Sequence, residues 1–164
     1  KLIWVAIGLL LLVLHYELPQ STNDNYSLLD NTYHNLWSND FYQDWSDIGM
    51  ITTDNDWGNV PSIIGYGGAL PTTATGRDPQ TILEPFSDIF VRANQTNVGN
   101  TTGGVFEFHI PNPTVAIQPS SGADAPNIVL HINTMGVENL KISYRLRDID
   151  NTIDNAIQPV ALQY

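Results

Sequence analysis

Cysteine is absent from the 164 residues. That excludes disulfides, Cys-ligated zinc, iron–sulfur clusters and thiol catalysis, and leaves the redox compartment open. Basic residues are scarce: six Lys and Arg stand against 17 Asp and Glu, giving a formal net charge of −11. A surface of that sign repels phosphate backbones, so no nucleic-acid partner is expected. The charged fraction is only 14%, and 42% of residues are apolar. Polarity comes instead from Asn, Thr, Ser, Gln and Asp, a composition of folded β-proteins and not of a disordered acidic tail. Catalytic and cofactor motifs are missing too. Gly65-Tyr66-Gly67-Gly68 has no Gly-Lys-Ser/Thr after it and reads as a tight turn or bulge, not a phosphate loop. His34, His109 and His131 are scattered without zinc spacing, His109 and His131 falling opposite the apolar side of their runs, where they face solvent or pair with a neighbour. No nucleophile elbow is present, so no enzymatic activity is expected.

Only one long apolar run exists, the thirteen residues Leu2 to Leu14. Its apolar side chains go all the way round a helix, which leaves no solvent face. As a helix it would reach about 20 Å, short of the about 20 residues that a span needs, but Tyr16 and Leu18 extend it. A signal-peptide core has this length, yet His15, Tyr16, Glu17, Leu18 and Pro19 contain no small-x-small cleavage site. Residues 1–18 are therefore expected to form a retained membrane helix, in contact with lipid and packed through Leu2 to Leu14 against other membrane-protein subunits. An uncleaved signal sequence and a buried core helix are the alternatives. Residues 19–40 read as a polar linker with Tyr26, Leu28, Leu29, Tyr33, Leu36 and Trp37 as anchors, either at a membrane interface or on the domain that follows.

From residue 41 to 164 the pattern changes to period two. Phe106, Phe108 and Ile110 alternate with Val105, Glu107 and His109; Val115 and Ile117 alternate with Thr114, Ala116 and Gln118. The same holds for Ile128, Leu130 and Ile132, for Leu140, Ile142, Tyr144 and Leu146, and for Val160, Leu162 and Tyr164. Pro111, Pro113, Pro119, Gly122, Pro126 and Gly136 punctuate these runs, and no amphipathic helix of comparable quality follows residue 40. The fold expected is all-β, an antiparallel β-sandwich of jelly-roll type preceded by one N-terminal transmembrane helix. The last alternation reaches Tyr164 without a closing turn, so the domain is expected to continue or to be covered by a partner.

The densest oxygen cluster is Asp148, Asp150, Asp154 and Asn155. It could supply hard ligands to calcium, although it lacks the glycine and terminal glutamate of an EF-hand loop, and the same residues are ordinary turn formers. Asp54-Asn55-Asp56 has the same ambiguity. His15, at the end of the apolar run and eleven residues before Tyr26, loosely resembles the pigment-ligating histidine of bacterial light-harvesting α-polypeptides; an interfacial polar residue is the plainer reading. Asn25, Asn94 and Asn100 open Asn-x-Ser/Thr sequons of the kind an Asn- and Thr-rich chain contains by chance.

Asp44-Trp45-Ser46, Ile51-Thr52-Thr53-Asp54-Asn55-Asp56-Trp57, Val60-Pro61-Ser62-Ile63-Ile64-Gly65-Tyr66, Asp78-Pro79-Gln80-Thr81, Ala93-Asn94-Gln95-Thr96-Asn97 and the stretch from Tyr144 to Tyr164 carry a wider likeness. Together they resemble an extracellular β domain found at the N-terminus of secreted endonuclease/exonuclease/phosphatase-type nucleases and in bacterial cell-surface proteins. The likeness covers about three-quarters of the chain and departs from the pattern where Gly67-Gly68-Ala69 replaces a longer charged loop. It implies export and a non-catalytic β module; the nuclease active-site residues have no counterpart here. Two functions are therefore expected in outline. The first is a non-catalytic, single-pass accessory subunit of a multisubunit bacterial membrane complex, for example photosynthetic or respiratory, with its β domain in the periplasm or at the cell surface. The alternative is a secreted or surface module that binds glycan or calcium.

Overall fold

The computed structural model describes residues 5–7, 33–68, 89–99, 102–120, 122–150 and 160–164. Every regular element among them is a strand, so the fold is all-β. In chain order these are β1 (Val5–Ile7), β2 (His34–Asn35), β3 (Ile63–Tyr66), β4 (Arg92–Gln95), β5 (Gly104–Phe108), β6 (Thr114–Gln118), β7 (Asn127–Leu130), β8 (Ile132–Asn133) and β9 (Arg147–Asp148). They form a five-stranded sheet in the order β4-β5-β6-β1-β9 and two strand pairs, β2-β8 and β3-β7.

The β5-β6 pair is the centre of the larger sheet. Its register sets Val105 opposite Ile117, Phe106 opposite Ala116 and Glu107 opposite Val115. Because side chains alternate along a strand, Val105, Glu107, Val115 and Ile117 share one face, and Phe106, Phe108, Ala116 and Gln118 the other. The first face belongs to the main core, with Leu36, Ile51, Trp57, Val60 and Ile63 and the flanking Ile128, Leu130 and Ile132 of β7 and β8. The second carries a smaller cluster of Phe106, Phe108 and Ala116 against Val98, Ile110 and Ile149. The alternation predicts one buried and one wet face, but β5 is buried at every residue. A strand covered on both sides loses its solvated face, which is how Glu107 comes to be inside.

Two further expectations are refined. The β1-β6, β1-β9, β3-β7 and β5-β6 pairs are antiparallel, but β2-β8 and β4-β5 are parallel. The pattern of apolar residues fixes which face is buried and says nothing about strand direction. The alternating runs at 140–146 and 160–164 lie outside any strand, since a strand also needs a partner backbone. Val5–Ile7, inside the run expected to be helical, is instead extended between β6 and β9. The remaining residues of 1–18 lie outside the described set. Within 19–40, the described part contains β2 and the buried Leu36, and Tyr33 meets the His131 ring edge-on at 5.3 Å.

Gly65 shows why its position takes no side chain. It sits within β3, not in a turn, and a Cβ there would lie 2.3 Å from Cζ2 of Trp57. The backbone then continues through Gly68, at φ +72°, whose carbonyl accepts the Ala125 N–H at 3.1 Å.

Candidate functional site

The most elaborated polar region lies where the irregular stretch 44–58 is laced to β4. Asn55 and Val91 exchange two bonds: the Asn55 N–H donates to the Val91 carbonyl at 2.9 Å, and the Val91 N–H donates to Asn55 Oδ1 at 3.2 Å. One carboxylate oxygen of Asp54 accepts the Ala93 N–H at 2.9 Å, while the other meets the Arg92 guanidinium at 3.0 Å. That guanidinium also lies over the Phe90 ring, 5.7 Å from its centroid.

β4 carries a bulge at this point. Arg92 pairs with Phe106 and Gln95 with Phe108, so three steps on β4 match two on β5. The extra residue brings Asn94 to φ +56°, a conformation that asparagine tolerates, and leaves its N–H out of the ladder. Glu107, only 5% exposed, takes up that donor: its Oε2 accepts the Asn94 N–H at 2.8 Å. The Asn94 amide then donates to the Thr52 carbonyl at 2.9 Å. Nε2 of His109 stands 2.8 Å from Glu107 Oε1, close enough for an ion contact but misaligned for a directed hydrogen bond. Burial raises the Glu107 pKa; the Asn94 N–H and then the His109 ring oppose it. Of the two readings that the alternation leaves for His109, facing solvent or pairing with a neighbour, the approach to Glu107 matches the second. The buried Glu107 was hidden because a bulge leaves no mark in a period-two pattern.

A second cluster surrounds Trp45. This buried residue adopts φ +61°, the left-handed region that a bulky side chain enters only under constraint. Asp44 supplies the constraint: its Oδ1 accepts both the backbone N–H and the hydroxyl of Ser46, at 2.9 and 2.7 Å, and its Oδ2 accepts the Tyr42 hydroxyl at 3.1 Å. The Ser46 bonds hold the Asp44 carboxyl below its ordinary pKa. The Trp45 ring meets Trp57 edge-on at 6.4 Å, and its Nε1 finds no acceptor among the described residues.

The turn around Asp44 is one of a series. Asp47, Asp56 and Asn97 each accept the N–H of a glycine two residues on, Asn133 accepts that of Met135, and Asp148 that of Asp150. All are side-chain-closed turns, and they explain why so polar a chain uses Asn and Asp so heavily. Asp-x-Ser and Asx-x-Gly are legible in the sequence as this motif.

The calcium candidates divide. Asp148 and Asp150 are joined by such a turn, at 3.0 Å, and Asp154 and Asn155 lie outside the described residues, as does His15. Among the described residues no three His, Asp or Glu side chains converge as a metal site requires, and no helix is long and apolar enough to cross a membrane. No protein family, curated protein or solved structure matches the chain.

Proposed function

We propose that the chain is a non-catalytic β module outside the cytoplasm, acting by surface contact within a membrane-associated or cell-surface assembly. One observation carries this reading: six of the ten acidic side chains among the described residues are committed to the backbone. Asp44, Asp47, Asp54, Asp56, Asp148 and Glu107 each accept a main-chain N–H. Groups spent in this way build loops; general acid–base or metal chemistry needs convergent groups left free for a reactant.

Of the two forms of the proposal, the surface module draws support from β1, whose Val5 and Ala6 pair with β6 on one side and β9 on the other. An accessory subunit anchored through Leu2 to Leu14 as a membrane helix would have to surrender that strand. The jelly-roll sandwich belongs to the same proposal, with the parallel β2-β8 and β4-β5 pairs as its departures. Alkaline carbonate washing of membranes from cells expressing the full chain, followed by affinity purification in mild detergent, tests both parts. A surface module is released by the wash and purifies with its partner. Retention in the membrane pellet would overturn the surface form in favour of the anchored subunit, and hydrolysis of DNA or glycan by the purified chain would overturn the non-catalytic reading.

A further inference from the structure

The run 140–146 combines four properties found together nowhere else among the described residues. Its sequence, Leu140-Lys141-Ile142-Ser143-Tyr144-Arg145-Leu146, has strand alternation, yet it lies outside every strand. None of residues 138–146 makes a backbone hydrogen bond to a described residue. Ile142 packs against the main core, while Leu140, Tyr144 and Leu146 remain 42%, 40% and 39% exposed. Finally, Lys141 and Arg145 are two of the chain's six basic residues, in a run without one acid, whereas the whole chain carries 17. Arg147, just beyond the run in β9, is engaged with the Asn112 carbonyl; Lys141 and Arg145 are exposed at the surface, Arg145 within electrostatic reach of Tyr42.

From this combination we infer that 140–146 is a docking edge for an extended segment of a partner protein in which acidic residues alternate with apolar ones. An open row of N–H and C=O groups is a template for strand addition, and main-chain bonds would supply affinity. The exposed Leu140, Tyr144 and Leu146 would take the apolar positions, and Lys141 and Arg145 would select for acid. The charge argument singles out this occupant: a segment that is basic within so acidic a chain attracts a strand of opposite sign. The inference rests on the reading of the chain as an interaction module and gives that module a partner chemistry.

The probe is a synthetic peptide of about eight residues alternating valine and glutamate, compared with a valine–lysine peptide and with a backbone N-methylated copy. Hydrogen exchange on the full chain should show the amides of 140–146 open when it is alone and protected by the valine–glutamate peptide. Binding should weaken as salt rises and fall about tenfold in the Lys141→Glu, Arg145→Glu double variant. The N-methylated and valine–lysine peptides should not bind. Lys141→Gln with Arg145→Gln serves as a milder pair should the reversal disturb folding. Equal binding of both charge types, absence of peptide protection, or amides already protected in the dilute chain would overturn the inference. Protection that grows with protein concentration alone would also overturn it, by showing that a second copy occupies the edge. None of these results bears on the carbonate wash, so the two proposals fail separately.

Discussion

At Glu107 one side chain does the work of a missing ladder bond. Replacing it by Ala strands the Asn94 N–H and should cost about 1–3 kcal/mol, measured by denaturant unfolding. Glu107→Gln keeps an acceptor for that N–H, so it should stay close to the parent. The two carboxyl forms differ with pH. Burial raises the Glu107 pKa, so the folded state holds the proton more tightly than the unfolded chain does. The stability gained is complete below the ordinary glutamate value, about 4.3, and is lost as pH rises through the raised value. Glu107→Gln should therefore flatten the stability profile across mildly acid pH. Asp44 has the opposite sign. Its pKa is lowered by the Ser46 bonds, so its contribution is present above the ordinary aspartate value and fades as pH falls through the lowered one. Asp44→Asn, which retains an acceptor, should remove that acid-side loss in the same measurement.

Among the elements, β5 carries the packing. Phe106 and Phe108 are fully buried and stack at 6.2 Å between ring centroids, so Phe108→Ala should cost about 3–5 kcal/mol in equilibrium unfolding. Gly65→Ala should also destabilise, because the new methyl meets the Trp57 ring within a strand that cannot shift without breaking its pairing with β7. β5, β6 and β7 were legible because each carries its own apolar alternation. β3 and β4 were not: Ile63 and Ile64 are adjacent apolar residues, and Arg92, Ala93, Asn94 and Gln95 include one small apolar residue. These strands exist because of what lies beside them, the Trp57 ring for one and the Asp54 and Asn55 side chains for the other. The run at 140–146 shows the reverse, a strand pattern with no partner backbone among the described residues.

For the molecule as a whole, acidity and loop structure are one property. Among the described residues Asp44, Asp47, Asp56 and Asp148 close turns with their own carboxylates, so removing divalent cations should leave those turns intact. A chelator is expected to leave the melting temperature unchanged; a rise on adding millimolar calcium would instead put Asp148 and Asp150 in a metal site with the residues beyond them. The candidate site was legible in part. Asp148, Asp150 and the Asp54 loop stood out as oxygen-rich, but their partners are main-chain groups, and a sequence displays side chains without saying which backbone donors fold toward them. Arg92 and Asp54 are separated by the whole of β3 and the segment after it, a distance across which no local pattern reaches.

The position of β1 also bears on the order in which the fold can assemble. Val5 lies opposite both Ile117 and Asp148, so β1 has neighbours on both edges only once two segments remote from it in sequence have folded back to it. Contacts so remote in sequence carry a large loop-closure cost and make for slow folding.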